Sequence, residues 1–335
     1  MSKSRDLSSL NGIAPEVRTF LKSDQLPSND FVGLEIELEG LPRINKVEFN
    51  SHFWQITEDG SLRDNGKEFI FSMPLCGADI LSALDYFKGW IEAYTKIDAA
   101  PSVSERTSIH VHIDVRDFNL KQLNSLNLLY VAFEKMLFNY CGAEREMSNY
   151  CIPLFRDYKS AQRFSKIERG AKDKRLEVQS AISCEKYSAY NTHSILNLGT
   201  VEFRQHPGTY NTDRILEWIA ILLCIKKAAR DFDVTIENFP TYVSEMGPYD
   251  FVRSVFGDKL DKLIYPNFQI DIINGIRRAQ EIIQYENICS NSHRLKKSDM
   301  FLAHKDENAL IKWAKANGKE LTFETLKKFN NGAEI

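Results

Sequence analysis

The chain has 335 residues, with 43 Lys or Arg and 46 Asp or Glu, so its formal net charge at pH 7 is −3. This near balance gives no electrostatic support for binding to nucleic acid or to an anionic membrane surface. Hydrophobic residues make up 43% of the chain and aromatic residues 11%, which is enough for a folded core and excludes a disordered chain.

Cysteine usage and apolar runs predict the compartment. Scattered cysteines with apolar neighbours are typical of reduced thiols, and they predict neither a disulfide framework nor a thiolate zinc site. The six lie at Cys76, Cys141, Cys151, Cys184, Cys224 and Cys289, without a CxxC pair. No apolar stretch resembling a signal peptide follows the first residues, and the longest apolar run, Trp218 to Ile225, is too short to span a bilayer. We therefore expect a soluble, cytoplasmic protein.

The first predicted elements are strands. Residues 1–30 are polar and weakly periodic, and they predict an arm that leads into the domain. Apolar and β-branched runs predict strands over Phe31–Gly40, Phe53–Thr57 and Lys67–Ser72. Asp59-Gly60 is a turn signal between the second and third strands.

Helices and three further strands follow. Helical spacing of apolar residues predicts helices over Ala78–Ala93 and Leu120–Tyr140, on either side of a strand at Thr107–Val115. The segment 141–185 is irregular and charged, which indicates an insertion or lid. The remaining predicted elements are strands at Tyr187–Leu198 and Thr200–His206 and helices at Asp213–Arg230, Pro248–Val255, Ile270–Ile283 and Glu307–Asn317.

The last predicted strand alternates apolar and polar residues. Period two places Glu202, Arg204 and His206 on one face and Val201 and Phe203 on the other. A carboxylate, a guanidinium and an imidazole in one row are costly to bury and unnecessary for folding. This strand is therefore a candidate reaction surface.

The first strand carries an acidic face made of Glu35, Glu37 and Glu39, opposite leucine and isoleucine. Neighbouring carboxylates on such a face are about 7 Å apart, at a rise of ~3.3 Å per residue. That separation suits ligation of two divalent ions, or of one ion bridged through water. A solvated acidic strand face is an equally weighted alternative.

The predicted strand at Thr107–Val115 places His110, His112 and Asp114 on one face. Two histidines at i and i+2 beside an Asp indicate metal ligation or phosphate contact. The same pair occurs in cupins and amidohydrolases, but the further ligands that those folds need do not follow here. Glu68 lies at the start of a strongly apolar strand, where a lone Glu is usually just exposed. It becomes a candidate site residue only because the other strands carry polar faces.

Taken together, these faces offer more carboxylates than histidines, which favours Mg²⁺ or Mn²⁺ over a structural zinc ion. Arg204 is a cation beside that cluster, which is useful when a substrate brings additional negative charge, as the phosphates of a nucleotide do. The chain contains neither a GxxxxGK[ST] loop nor a GxGxxG motif after a strand, so a P-loop kinase or a Rossmann enzyme has no support.

Six short motifs, in order along the chain, resemble those of the amidoligases, which belong with glutamine synthetase and glutamate–cysteine ligase to the carboxylate–amine ligase superfamily. The motifs are Gly33-Leu34-Glu35-Ile36-Glu37, Trp54 with Asp59-Gly60-Ser61-Leu62, Gly66-Lys67-Glu68, Ser108-Ile109-His110-Val111-His112, Lys186-Tyr187-Ser188-Ala189-Tyr190-Asn191, and Gly199 to Thr209. The ExE and HxH motifs are weak alone, whereas the last stretch is specific.

The resemblance implies a fold of the α+β class: a glutamine-synthetase-like curved, mainly antiparallel sheet with its active site on the concave face and helices on the convex face. The predicted elements add a helical C-terminal region. They divide the chain into an N-terminal arm over residues 1–30, a catalytic domain over 31–235 and a helical extension over 236–335, which has no counterpart in the family.

The resemblance also implies an activity, namely ATP-dependent formation of an amide or peptide-like bond through an acyl phosphate, with Mg²⁺ or Mn²⁺ as cofactor. The partners would be a carboxylate and an amine, each a small molecule or a peptide, with no nucleic acid and no membrane. Ring assemblies in the superfamily leave self-association of this chain open.

Carried over by position, Glu35, His110 and Glu202 would hold the metal ion nearest the γ-phosphate. Glu37 and Glu68 would hold a second ion on the acceptor side.

The other carried-over residues concern the nucleotide. His112 and Arg204 would contact the transferring phosphate and act in catalysis. Asp59, Tyr187 and Asn191 fall in motif positions and are assigned to cofactor binding.

One position departs from the family pattern. Larger members carry a further acidic ligand downstream of the Glu68 position, where this chain has Pro74-Leu75-Cys76-Gly77, and Asp79 or Glu39 could substitute. Two other interpretations stay open: a divalent-metal hydrolase of an amide or phosphoester, and an inactive relative that acts as a binding or scaffold protein.

Overall fold

The computed structural model describes residues 30–118, 120–154, 187–232 and 238–278. The predicted arm up to residue 29, most of the predicted lid over 141–185 and the predicted helix at Glu307–Asn317 lie outside these residues. The chain separates into two compact units, residues 1–279 and 280–335. All the described residues belong to the first unit, and the predicted boundary near residue 235 stays a prediction.

The centre of the first unit is an antiparallel sheet of six strands in the order β2-β3-β1-β4-β6-β5. The strands are β1 (Val32–Leu38), β2 (Trp54–Thr57), β3 (Lys67–Phe71), β4 (Ser108–Asp114), β5 (Tyr190–Asn191) and β6 (Thr200–Pro207). The predicted mixture of helix and antiparallel sheet is confirmed.

Helices connect and cover the strands. They are α1 (Ala78–Tyr94), α2 (Leu120–Cys141), α3 (Ser194–Leu198), α4 (Thr212–Asp231), α5 (Phe239–Met246), α6 (Pro248–Phe256) and α7 (Leu260–Leu263), with 3₁₀ turns at Ile44–Lys46, Ala143–Met147 and Gly257–Lys259 and further helix over 268–278. None of the helices in the described part of the chain is long and apolar enough to cross a membrane.

The predicted strand over Tyr187–Leu198 is wrong for most of its length. It pairs as a strand only at β5, and the chain then turns into the short helix α3. The turn forms because the Asn191 side-chain oxygen accepts the backbone N–H of His193 at 2.9 Å, and the Ser194 hydroxyl donates to the Thr200 carbonyl at 2.7 Å. Gly199, at φ +70°, ends the helix in the left-handed conformation.

The hydrophobic core lies on one face of the sheet. Apolar side chains of alternate strand residues, such as Ile36, Val111 and Phe203, are fully buried there. The helix α1 packs on β2 and β3, where the Phe69 and Phe87 rings lie 5.2 Å apart. The helices α2 and α4 pack on β6 and β4 and on each other. The opposite face of the sheet carries the polar side chains.

Charged side chains connect α4 to the chain beside β1 and β4. The Lys226 ammonium is almost fully buried and lies 3.0 Å from Asp30 and 3.4 Å from Asp117. The Arg230 guanidinium lies 2.7 Å from both carboxylates, which are partly exposed. The two carboxylates compensate the buried Lys226 charge, so these ion pairs help to hold the helix against the two strands.

A β-bulge interrupts the ladder between β4 and β6. Ile109 pairs with His206 and Val111 pairs with Phe203, so β6 has one residue more than β4 over this span. His206 consequently lies on the helix side, with its ring 5.8 Å from the Trp218 ring. The prediction that it shares a face with Glu202 and Arg204 is therefore wrong.

The bulge gives His206 a distinct chemical environment. Its Nδ1 is 2.7 Å from the Pro207 carbonyl, and Arg214 Nε donates to its Nε2 at 3.3 Å, so the ring is held neutral. Burial, with the nearby Arg214 charge, lowers the pKa of His206 to about 4.

We predict that His206 makes the folded state sensitive to acid. Because its folded pKa lies below its unfolded value, its stabilising effect is complete above about pH 6.5 and is lost as pH falls toward 4. The lost free energy of unfolding is about 3 kcal/mol, from a pKa difference of about 2.5.

Urea unfolding of wild type and His206→Gln, compared between pH 7 and 4, measures this loss. The difference between the two proteins should shrink as pH falls, whereas His52→Gln, at an exposed histidine, should track wild type at every pH. A pH-independent difference for His206→Gln would contradict the prediction.

Candidate functional site

The strand register places two rows of polar residues on the sheet face opposite the hydrophobic core. This face is called the open face. In the first row, Glu37 of β1 pairs with Glu68 of β3, and Glu68 pairs with Thr57 of β2. The Thr57 hydroxyl donates to the Glu68 carboxylate at 3.0 Å. This row therefore places two carboxylates side by side.

The second row crosses four strands. His112 of β4 lies between Gly33 of β1 and Glu202 of β6, and Asn191 of β5 follows next to Glu202. The Asn191 amide donates to the Glu202 carboxylate at 2.7 Å, and the His112 Nδ1 is 3.1 Å from the Thr200 hydroxyl. Each functional side chain in the row is thus held by a neighbouring strand.

Glu35 joins the two histidines. It pairs with His110 across the ladder, and its two carboxylate oxygens lie 2.8 Å from His110 Nδ1 and 3.1 Å from His112 Nε2. The His110 Nδ1 is also 3.7 Å from the Glu202 carboxylate. The ExE, HxH and Glu202 motifs therefore meet in one place.

The acidic and imidazole groups form three overlapping sets in which one potential ligand atom of each member lies within 4.8 Å of the others. The sets are Glu35 with His112 and Glu202, Glu35 with Glu68 and His110, and Glu37 with Asp59 and Glu68. Glu35 and Glu68 each belong to two sets, so adjacent cations could share them.

The donor set fits hard divalent ions, because carboxylates predominate and imidazoles complete it. His110 supports this fit: its Nε2 is buried and has no hydrogen-bond partner among the described residues. The Glu37 Oε1 atom lies 3.9 Å from this nitrogen. Two ligands of one Mg²⁺ ion can lie up to about 4.2 Å apart, since each is about 2.1 Å from the ion.

Charge pairing keeps one half of the site ionised. Burial alone would raise the pKa of Glu35, but hydrogen bonds with His110 and His112 outweigh it and hold that pKa well below the usual range. Burial likewise opposes ionisation of Glu202, while Arg204 and the histidines lower its pKa.

The carboxylates of Glu37 and Glu68 behave in the opposite way. Burial raises the pKa of Glu37, although His110 and Arg204 partly oppose it. Burial and the neighbouring Glu35 charge raise the pKa of Glu68 to about 7. Without bound cations this half of the site is therefore short of positive charge.

Arg204 places a cation on the open face. Its side chain forms an ion pair with Glu202, and its Nε lies 3.5 Å from the Tyr150 carbonyl. Burial disfavours the charged guanidinium, but Glu202 outweighs this and raises the pKa of Arg204. The side chain is 13% exposed, so a ligand on this face can reach it.

The remaining predicted residues lie at different distances from this cluster. Asn191 contacts it directly through Glu202, as described above. Tyr187 is 40% exposed and sits edge-on to the Tyr150 ring, with the two centroids 6.1 Å apart. Tyr187 is therefore placed beside the segment that reaches Arg204.

Asp79 and Glu39 are the candidate substitutes for the missing acidic ligand, but the residue that joins Glu37 and Glu68 is Asp59. One of its carboxylate oxygens accepts the Ser61 N–H at 2.7 Å, and the residue belongs to the set with Glu37 and Glu68. Asp79 lies exposed in the first turn of α1. Glu39 is buried and accepts the Arg63 N–H at 2.9 Å; it belongs to none of the three sets.

Sequence reasoning did not single out three residues that contact the cluster. Thr200 lies two residues before Glu202 on the same face, so the alternation already contained a signal for it. Thr57 and the Tyr150 carbonyl offered none, because they come near the site only through strand pairing and through the chain that follows α2.

The comparison with protein families gives one match. The family model described as "putative amidoligase enzyme" matches residues 89–225, which include β4, β5 and β6. Over these residues the match confirms the resemblance to the amidoligases that the motifs indicated. No curated protein matches the chain.

We predict that Gly33→Ala weakens cation binding. A Cβ at this position would lie 3.1 Å from the His112 Cβ, which would push His112 away from Glu35 and Glu202. Displacement of a group that orients a ligand typically costs 10–100-fold in metal affinity, so we expect a loss on the order of 10-fold. Calorimetric titration with Mn²⁺ measures it.

The matched control for that substitution is Gly89→Ala on α1, where a Cβ would meet no atom within 4 Å. It should bind Mn²⁺ like wild type. Unchanged Mn²⁺ affinity in Gly33→Ala would contradict the prediction that a Cβ at this position displaces His112.

We also predict that Glu202→Gln lowers Mn²⁺ affinity by at least about 100-fold while the fold is retained, because loss of a direct ligand should exceed the effect of an outer-shell partner. Glu39→Gln is the matched control, since Glu39 is as deeply buried and lies outside the three sets. Equal affinities for both variants would contradict this assignment.

Proposed function

From the family match and the geometry of the site, we propose that this chain is an ATP-dependent carboxylate–amine ligase. It would form an amide or peptide-like bond between an acid and an amine, each a small molecule or a peptide. The observation that carries the proposal is the convergence of three carboxylate and histidine sets with Arg204 on one sheet face.

The chemistry requires activation of the acid. A carboxylate does not react with an amine directly, because oxide would have to leave. In the proposed reaction an oxygen of the substrate carboxylate attacks the γ-phosphorus of ATP, and the bond to the bridging oxygen breaks to release ADP. The amine nitrogen then attacks the acyl carbon, phosphate leaves with the C–O bonding electrons, and the nitrogen loses a proton.

The cations of this reaction would be Mg²⁺ or Mn²⁺. When bound, such ions neutralise charge on the phosphate oxygens and on the developing tetrahedral oxygen. Glu35 and Glu202, with a histidine of the HxH pair, would hold the ion near the γ-phosphate. Glu37 and Glu68 would hold the acceptor-side ion.

Asp59 is available to complete that acceptor-side set. The resemblance assigns His110 to the first ion and His112 to the phosphate. The distances are compatible with either histidine beside Glu202, because His112 shares a set with Glu202 and His110 lies 3.7 Å from it.

Arg204 would bind the transferring phosphoryl group. Its guanidinium now neutralises Glu202, and a cation that takes over Glu202 would free the N–H groups of Arg204 for phosphate oxygens. Preorganised donors of this type stabilise the charge that develops in the transition state. No Ser or Cys nucleophile is required.

The proposal extends to the surroundings of the site. Asp59, Tyr187 and Asn191 would contribute to nucleotide binding, and the sheet would have the curvature of glutamine synthetase, with helices on its convex face. The described cysteines are free thiols, which favours a reducing, cytoplasmic compartment.

The central experiment is an ADP-release screen of the full chain over a matrix of acids and amines, with Mg²⁺ and with Mn²⁺. We expect ADP and phosphate to form only when ATP, an acid and an amine are all present. Turnover of an amide or phosphoester without ATP would instead indicate a metal-dependent hydrolase, and cation binding without any turnover would indicate an inactive binding protein.

For the role of Arg204 we predict that Arg204→Gln lowers kcat by about 100- to 1,000-fold, the effect typical of removing one transition-state donor. Mn²⁺ affinity should not fall, because the carboxylates remain. Arg43→Gln is the control, since this arginine donates to the Ile97 carbonyl at 2.9 Å and pairs with Asp98, and neither partner belongs to the three sets. A kcat for Arg204→Gln within about twofold of wild type would contradict the role.

A further inference from the structure

We propose that Arg145 is a positioning residue that holds the β6 bulge and thereby aims the Arg204 side chain at the open face. The consequence for catalysis rests on the proposed function, whereas the effect on Arg204 does not. Arg145 lies in the 3₁₀ turn Ala143–Met147 that follows α2. Its side-chain hydrogen bonds within the described residues reach no member of the three carboxylate and histidine sets.

The bulge creates a need for hydrogen-bond donors. Arg204 and Gln205 together lie opposite His110, so the ladder with β4 cannot use all their backbone groups. Both residues are largely buried, and a buried carbonyl without a donor is costly. The bulge therefore depends on donors from outside the sheet.

Arg145 supplies those donors. Its Nε donates to the Gln205 carbonyl at 2.9 Å, and its Nη2 donates to the Arg204 carbonyl at 3.2 Å. Nη2 also donates to the Ser108 hydroxyl at 3.0 Å, and Nη1 donates to the Glu105 carbonyl at 3.4 Å. One guanidinium thus binds the bulge on β6, the first residue of β4 and the loop before it.

Arg204 is held from both sides as a result. Its backbone N–H donates to the Ala189 carbonyl at 2.9 Å, on the β5 side, while its carbonyl faces Arg145. Its side chain reaches Glu202 and the Tyr150 carbonyl, five residues after Arg145. The turn after α2 therefore supports both the backbone and the side chain of Arg204.

The chemistry of the contact requires arginine. The Arg145 side chain is almost fully buried, and the four acceptors it reaches among the described residues are three carbonyl oxygens and one hydroxyl. A planar guanidinium has five N–H donors in a fixed fork, whereas a lysine ammonium has three donors at one point. Lysine can keep the charge but cannot span both bulge carbonyls and Ser108.

The first test reads the position of Arg204 without any assay of activity. In the full chain labelled with ¹⁵N-arginine, the Nε–H signal of Arg204 is identified by its loss in Arg204→Lys. We expect this signal to shift or broaden in Arg145→Lys. Arg116→Lys is the matched control, because Arg116 is also buried but binds Asp114 two residues away.

Arg116→Lys should leave the Arg204 signal in place, even if both variants lower the melting temperature equally. An unchanged Arg204 signal in Arg145→Lys would overturn the proposal, and so would an equal change in Arg116→Lys.

Ser108→Ala removes one acceptor of Arg145 without changing the Arg145 charge. This variant replaces Arg145→Lys if Arg145→Lys does not fold. It should shift the Arg204 signal in the same direction, and no shift would overturn the proposal.

The second test measures catalysis. Misplacing a reacting group by about 1 Å can cost 100-fold in rate, so we expect kcat for ADP formation to fall by about 10- to 100-fold in Arg145→Lys, with Mn²⁺ affinity retained. If Arg145 acts through Arg204, the double variant Arg145→Lys/Arg204→Lys should be nearly as fast as Arg204→Lys alone. If kcat of the double variant falls by the product of the two single losses, the proposal is overturned. If wild type turns over no ATP, the ligase proposal fails, and the Arg204 signal still decides the role of Arg145.

Discussion

The site depends above all on the register between β1, β4 and β6. A shift of one residue in an antiparallel ladder moves every side chain of a strand to the other face. In the observed register Glu35 pairs with His110 and His112 pairs with Glu202. The buried leucine, isoleucine and valine side chains of the opposite face make any slip costly, so the hydrophobic core also fixes the polar site.

The register brings together more negative charge than the protein neutralises. Glu35 and Glu202 stay ionised because two histidines and Arg204 oppose the cost of burial. Glu37 and Glu68 lack such support, and burial raises the pKa of both. Binding of cations would supply the missing charge, since ions bind deprotonated ligands and displace their protons. These electrostatics support the proposal that the site binds cations.

The sequence predicted the polar faces well and the local irregularities poorly. Period-two alternation placed Glu35 with Glu37, and His110 with His112, because strand geometry alone determines those relations. His206 was misplaced because a bulge adds one residue, and that bulge is satisfied by Arg145, which lies about 60 residues away along the chain. The structure likewise brings Asp59 to Glu37 and Glu68 through the pairing of β2 with β3. Contacts of this kind depend on tertiary packing, which no local pattern encodes.

Half of the candidate site lies outside the segment that matches the family. The match covers residues 89–225, so it includes His110 and Glu202 but not Glu35 or Glu68. The first three strands are connected to that segment by hydrogen bonds, since β1 pairs with β4 in the middle of the sheet. Because Glu35 contacts both histidines of β4, any ligand held by the matched strands must also meet a residue of β1. The unmatched strands are therefore part of the same site on physical grounds, independent of family resemblance.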